Sequence, residues 1–323
     1  INIPNSIAKI FKTNNSGVIL DSIIIPTGNF DTLFTVYQLD SLENNKLGLY
    51  SIKSNYNTSG IHNIKFSTFY LDTNLNIIYS YDENYNSPLN ILNIGGNYKI
   101  NNKIYHNFYF LQSTYKSELQ ILDKLGQFTL SKQLPTNSNN YISDIILHPD
   151  GKNLILSTIS DFIYTDSNLN EYKNDIIQIS NFPSSSNVGL MNYNNSSFLT
   201  VGCSYTTNSN IADSFCVCRI DTNNNLLKKS CFSAPQNSNP TINSNIGFKC
   251  YDKFSNNNIY FGGRNNYDVT LSSPTLFSIA NVDNNLNIKW IKYLGGDYSY
   301  QIFSFKATSD GGCLIMGKYN IDK

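Results

Sequence analysis

The chain has 323 residues, enough for one large domain or two small ones, and its 23 Lys and Arg against 23 Asp and Glu give a formal net charge of zero at pH 7. That balance excludes the basic stripe with which a nucleic-acid binder neutralises phosphates, and the basic amphipathic helix of a membrane-surface protein. With 3 His, 2 Arg and 14% charged residues, material for acid–base catalysis or a histidine-rich metal centre is thin, while 23 Tyr and 19 Phe supply the apolar surface that a disordered chain lacks.

No run approaches 18 consecutive apolar residues, so no membrane-spanning helix is expected. The chain begins at Ile1 without a charged and then apolar leader, which reads as a mature product or a fragment. The 51 Asn reflect a composition biased toward A/T-rich codons, so an Asn cluster by itself points to nothing.

In chain order the predicted elements are short strands separated by polar turns of two alternating kinds. The first hairpin, Ile7 to Ile25, bends at a degenerate turn, Lys12 to Gly17, and the second bends at Asp40 to Lys46. There follow Leu71 to Asn76, Asn101-Asn102, Leu122 to Gly126, His148 to Gly151, Thr165 to Asn170 and Asn194-Asn195. The series ends with Ile220 to Asn225, Ser255 to Asn258, Val282 to Asn287 and Ser309 to Gly312, the last inside a hairpin from Gln301 to Tyr319. One kind carries Asp-x-Asn-x-Asn or a close variant; the other is a simple tip of the Asx and Gly residues that accept positive φ. Between them, runs such as Phe215 to Ile220 and Ile288 to Tyr293 alternate apolar with polar and are rich in β-branched and aromatic residues, as strands are. No segment carries a convincing helical period.

Twelve hairpins make 24 strands, and the Asp-x-Asn kind recurs on average every 54 residues between positions 13 and 283. The chain therefore reads as all-β, a six-bladed β-propeller of four-stranded antiparallel blades in one domain, 1–323. The blades are 26–82, 83–133, 134–180, 181–233, 234–294, and a last one made of 295–323 with 1–25. The first hairpin is of the kind that closes a unit and the last is of the kind that opens one, so the terminal strands are expected to share that blade and close the ring.

The segment Trp290 to Asp297, followed by Lys306 to Gly317, resembles the repeat of secreted and surface β-propeller proteins that often travel through the type IX secretion system. Their units run from a T-S-D-G-G hairpin to a W-x-k-x-y-G-G hairpin, here Thr308 to Gly312 and Trp290 to Gly296. The match extends over about forty residues; elsewhere only the turn Asp and the alternation persist, and most turns lack the Gly. The resemblance implies a propeller fold and an extracellular or outer-membrane-associated location, without naming a ligand.

The turns at Asp72, Asp166 and Asp283 imitate the start of a calcium loop, but lack its Gly and bidentate Glu; the simpler reading is an Asx turn that bonds its own backbone. Ser309 to Gly312 does not fit a sialidase aspartate box. His62, His106 and His148 fall in different blades without metal spacing, and His148, next to Pro149-Asp150-Gly151, reads as a turn residue. No metal, cofactor or catalytic residue is assigned. All six Cys lie after residue 200. If Asp221 pairs with Leu226, Cys216 stands opposite Cys231, and Cys218 would face Cys203; two disulfides, Cys216 with Cys231 and Cys203 with Cys218, are open, against the alternative of buried thiols. Cys250 and Cys313 read as core residues.

A ligand is expected on the face that carries the longer loops: Lys53 to His62, Asn84 to Pro88, Pro135 to Tyr141, Thr206 to Asp213, Ala234 to Asn245, Arg264 to Pro274 and Gly295 to Tyr300. The residues singled out are Arg264, Tyr267, Asp268, Tyr298 and Tyr300, suited to hydrogen bonding and stacking on protein or sugar. The function read from this is a secreted or surface binding or structural module, not an enzyme, for a protein or glycan partner in an envelope or adhesion assembly. The rival is a propeller hydrolase acting on polysaccharide.

Overall fold

The computed structural model describes residues 9–13, 18–24, 33–41, 47–56, 62–87, 90–101, 103–111, 115–123, 128–133, 142–158, 161–176, 189–204, 214–233, 249–264, 276–295, 299–308 and 310–320. These form 24 strands, and every one of the twelve predicted turns joins two paired antiparallel strands. They fall in two compact units, Ile1–Asn139 and Asn140–Lys323.

In the first unit β1 (Lys9–Thr13) and β2 (Ile19–Ile24) make a two-stranded sheet. A four-stranded meander follows, β3 (Leu33–Ser41), β4 (Leu47–Tyr56), β5 (His62–Leu71) and β6 (Ile77–Ser87). A second comprises β7 (Asn90–Ile100), β8 (Lys103–Leu111), β9 (Tyr115–Asp123) and β10 (Phe128–Gln133). Ile10 and Ile23 of the small sheet pack on Leu49, Phe69 and Leu71 of the β3–β6 meander.

The second unit holds three such meanders. The first is β11 (Asp144–Leu147), β12 (Leu154–Ser157), β13 (Asp161–Thr165) and β14 (Glu171–Ile176). The next is β15 (Gly189–Asn194), β16 (Ser197–Ser204), β17 (Ser214–Asp221) and β18 (Leu226–Ser233), and the last β19 (Tyr251–Ser255), β20 (Asn258–Arg264), β21 (Leu276–Val282) and β22 (Ile288–Gly295). Among the described residues β23 (Ser299–Ala307) pairs with β24 (Cys313–Asn320) alone. An uninterrupted four-stranded antiparallel meander is the topology of a propeller blade, and five of them in succession make the chain propeller-like.

Period-2 alternation lets the β15–β18 sheet bury both faces. On one face Phe198, Cys218 and Ile220 meet Ile155, Phe162 and Tyr164 of the β11–β14 sheet. On the other, Leu199, Val201 and Phe215 meet Ile259, Phe261 and Ile279 of the β19–β22 sheet, and Phe305 of β23 joins the same core.

The Asp-x-Asn turns share one construction. At Asp72, Asp166, Asp221 and Asp283 one carboxylate oxygen accepts the amides two and four residues on, at 2.7–2.9 Å. The other accepts the side-chain amide of Asn76, Asn170, Asn225 or Asn287 at 2.9–3.0 Å. The fourth residue takes positive φ: Leu75 at 63°, Leu169 at 64°, Asn224 at 66° and Leu286 at 57°. A leucine in that conformation is strained, and burial offsets the strain: Leu75, Leu169 and Leu286 are 4%, 0% and 1% exposed.

The disulfide expectations divide. Cys216 pairs with Cys231 across β17 and β18 and is bonded to it. The pairing at the turn differs from the expected one, since Leu226 stands opposite Ile220 and a bulge then restores the register that brings the two cysteines together. The expected bond of Cys203 with Cys218 does not form, and neither residue is in a disulfide. The β16–β17 ladder sets Cys203 opposite Phe215 and Cys218 opposite Thr200, so the two thiols sit on opposite faces of the sheet. Burial pushes the Cys218 thiol up to about 12. Cys250 is buried, and Cys313 packs half-buried against the same core, as expected of core residues.

Candidate functional site

Arg264 is the last residue of β20, opposite Phe277, and Tyr300 stands opposite Tyr319 on β23. Tyr267, Asp268 and Tyr298 lie outside the described residues, as does most of the predicted loop face. His62 and His106 sit in β5 and β8. His148 belongs to its turn: its Nδ1 accepts the Asp150 amide at 3.2 Å, and its backbone amide donates to the Asn153 carbonyl at 2.8 Å.

The calcium-like turns direct their acids inward, since each Asp holds three hydrogen bonds from its own turn. Those contacts hold Asp72, Asp221 and Asp283 below the ordinary carboxylate range; the Asn76 and Asn225 side chains lead for the first two and the Asn287 amide for the third. Among the described residues no three His, Cys, Asp or Glu side chains gather as metal ligands.

The residue that draws sheets together is one the sequence did not single out. Asp144, fully buried at the start of β11, accepts its neighbour Ile145's amide at 2.9 Å and the Lys249 ammonium at 2.6 Å on Oδ1. Its Oδ2 accepts the Leu190 amide of β15 at 2.7 Å and the hydroxyl of Tyr251 on β19. Lys249 in turn accepts the Phe305 amide of β23 on its carbonyl at 2.8 Å. One carboxylate and one lysine thus tie the first strands of four consecutive sheets.

Gly189 makes the approach feasible. A Cβ there would lie 2.2 Å from Cε1 of Tyr251, so a larger residue would push the ring away from Asp144. Burial first, and then the Asp144 charge, raise the Tyr251 phenol well above its ordinary value, keeping it a donor. A carboxylate offers about four acceptor sites, and all four are engaged here. Lys249, with its side chain 30% exposed, is the member that reaches solvent. It lies four positions after the predicted loop Ala234 to Asn245.

Further along, tyrosine hydroxyls latch one sheet to the turns of the next. Tyr164 donates to Asn224 Oδ1, Tyr193 to the Asn284 carbonyl at 2.5 Å, and Tyr260 to the Gly311 carbonyl. The Arg219 guanidinium stands 5.4 Å from the Tyr193 ring centroid. Sequence reasoning passed over these groups because a lone Asp, Lys or Tyr inside a strand carries no local motif.

Among the described residues no helix is long and apolar enough to cross a membrane. No family model matches the chain, and no curated protein matches it. Among solved structures it is similar to a protein of unknown function from Bacteroides caccae, at 8% identity and a TM-score of 0.47, with 87% of each chain covered. It is also similar to the WD40 domain of Pan2 from Neurospora crassa, at 12% identity and a TM-score of 0.42, covering 87% of this chain and 85% of that one. An apocarotenoid oxygenase from Synechocystis aligns at 8% identity and a TM-score of 0.45, covering 87% of this chain and 69% of that one.

Proposed function

We propose that the chain is an exported six-bladed β-propeller that serves as a binding or structural module for a protein or glycan partner in an envelope or adhesion assembly. The observation that carries this reading is the full engagement of Asp144. A buried acid with all four acceptor sites occupied rivets sheets together and holds no site open for a proton in transfer. The Cys216–Cys231 bond supports an oxidising, extracellular setting, in keeping with the type IX resemblance.

The sixth blade in this reading is assembled from both ends. β1–β2 adjoins the β3–β6 sheet and β23 adjoins the β19–β22 sheet, and among the described residues each terminal sheet has two strands. In this reading the terminal strands share one blade, which brings it to four strands and removes open edges. The partner binds at the loop face, where Arg264, Tyr267, Asp268, Tyr298 and Tyr300 are the contact residues.

The test sets the full chain on a glycan array and against envelope extracts, alongside a panel of chromogenic glycosides. Binding without turnover is the expected result, and turnover of a glycoside overturns it. Closure is read separately: deleting residues 1–25 accelerates hydrogen exchange in β24, and unchanged exchange there rules closure out.

A further inference from the structure

We propose that Cys216, Cys218 and Cys231 form a thiol–disulfide exchange switch, in which the bond to Cys231 passes from Cys216 to Cys218 and carries the outer strand β18 two residues along β17. The three share one face of the β15–β18 sheet. Cys216 stands opposite Cys231, to which it is bonded, and Cys218 stands two residues further along β17, opposite Lys229. Two residues of strand advance about 6.8 Å, so Cys218 is the next sulfur along β17 on this face. A slip by two keeps every side chain on its own face and sets Cys218 directly opposite Cys231.

The surroundings suit the chemistry. Lys229 Nζ donates to Ser204 Oγ at 3.0 Å. Lys229 is level with Cys218 and Ser204 with Ser214, and the bonded pair lies between those rows, level with Gly202. The lysine side chain therefore crosses the row of the disulfide, in which Gly202 presents no side chain, and its ammonium favours a thiolate there. Burial raises the Cys218 thiol, and the Lys229 charge opposes that rise. Thr200, opposite Cys218 on β16, has a buried hydroxyl with no hydrogen-bond partner among the described residues, so it can donate to the same thiolate.

In the exchange the Cys218 thiolate attacks Sγ of Cys231, the half-buried end of a bond whose other end, Cys216, is 0% exposed. The Cys218–Cys231 bond forms as the Cys216–Cys231 bond breaks, and Cys216 takes up the proton that Cys218 gave, so no oxidant or reductant is consumed. β18 is last in its sheet, and among the described residues no strand pairs with its outer side. Beyond the bulge only Ile220 pairs with Leu226, and Leu226 and Leu227 are already 42% and 49% exposed, so moving them into the turn costs little burial. The resting register is held by Phe232, packed on Phe215 and Phe261, and by the Tyr293 hydroxyl on the Ser233 carbonyl at 3.1 Å. After the slip Phe232 stands opposite Val217, on the same face as before. β18 continues in sequence into the predicted loop Ala234 to Asn245, so the slip takes two residues from that loop and gives the ligand face two settings. The exchange itself stands whether or not that face binds a partner.

The test maps disulfides in the full chain by mass spectrometry of proteolytic peptides. Oxidised wild-type protein held with iodoacetamide under native conditions should accumulate a species labelled at Cys216 in which Cys218 is bonded to Cys231. Cys218→Ser should abolish that species, Lys229→Met should slow its appearance about threefold, and Lys229→Arg should restore the rate. Cys216→Ser, oxidised with glutathione disulfide, should form the Cys218–Cys231 bond directly; if that variant does not fold, the wild-type labelling decides the matter. Wild-type protein in which Cys216 stays unlabelled, labelling of Cys216 that persists in Cys218→Ser, a rate that ignores Lys229→Met, a bond between Cys216 and Cys218, or a folded Cys216→Ser variant without the Cys218–Cys231 bond overturns the proposal.

Discussion

The Lys249 ammonium stands 2.6 Å from the carboxylate of Asp144, 105 positions earlier in the chain, and spans from the first strand of one sheet to the approach of the first strand two sheets later. Taking one partner from a buried ion pair leaves the other charge uncompensated, at about 3 kcal/mol or more. Lys249→Met should therefore lower stability by about 3 kcal/mol in urea unfolding. Adding Asp144→Asn should recover part of the loss, because no buried charge then remains. Strictly additive losses would show that the two groups do not interact.

Gly189 gives a second test of the same rivet. The methyl of Gly189→Ala falls on the Tyr251 ring, so the substitution should destabilise more than Tyr251→Phe, which removes only the hydroxyl that Asp144 accepts. Thermal melts of the two variants check the order, and the reverse order means that the ring yields without leaving Asp144.

The rhythm of turns was legible because Asp, Asn and Gly are local signals: each acts on its own backbone within four residues, so all twelve hairpins can be read from neighbours in sequence. The Cys216–Cys231 bond followed although the assumed pairing of Asp221 with Leu226 does not form, because the bulge between Arg219 and Ile220 restores the same register along the hairpin. Cys203 and Cys218 were misplaced because the sequence of 205–213 between their strands carries no Asp-x-Asn or Asp-Gly signal from which register can be counted. Asp144, Gly189, Lys249 and Tyr251 are brought together by three successive sheets, a relation that no spacing in the chain encodes. Asn at the fifth turn position was discounted as compositional bias, yet its side-chain amide closes every one of the four described Asp-x-Asn turns.

The strained leucines set two effects against each other. Leu169→Gly relieves the left-handed strain, about 1–2 kcal/mol, and removes a side chain that is 0% exposed, about 3–5 kcal/mol. Burial wins, so the variant should be less stable by about 1–4 kcal/mol in urea unfolding. A stabilised variant would mean that the turn, and not the core, governs this position.

Acid should weaken the fold through the turn aspartates. Partial burial raises the Asp150 carboxyl, but the Asn153 and Lys152 amides, the Asn153 side chain and the His148 charge outweigh it and hold the group at about 2, against 3.8 for a free side chain. A depressed folded value contributes stability above the unfolded value and loses it as pH falls through the folded one. The loss therefore runs from 3.8 down to about 2. With the side chain 35% exposed, solvent screening reduces the contribution to about 1 kcal/mol. Asp150→Asn should flatten that part of the stability profile between pH 4 and pH 2, and an unchanged slope would assign it to other acids.

The cysteines allow a direct count. With Cys216 bonded to Cys231 and with Cys203, Cys218, Cys250 and Cys313 outside any disulfide, alkylation of the oxidised protein in denaturant should label four sites, and all six after reduction. Two labels before reduction would restore the bond between Cys203 and Cys218; six would abolish the bond across β17 and β18. The cross-link closes a loop with a sequence separation of 15, for which chain entropy gives about 3 kcal/mol. Cys231→Ser should lower the unfolding midpoint accordingly, and because β18 loses its fastening to β17, exchange should quicken first along β18. Uniform acceleration across the β15–β18 sheet would instead mean that the bond stabilises the sheet as a whole and does not pin its edge.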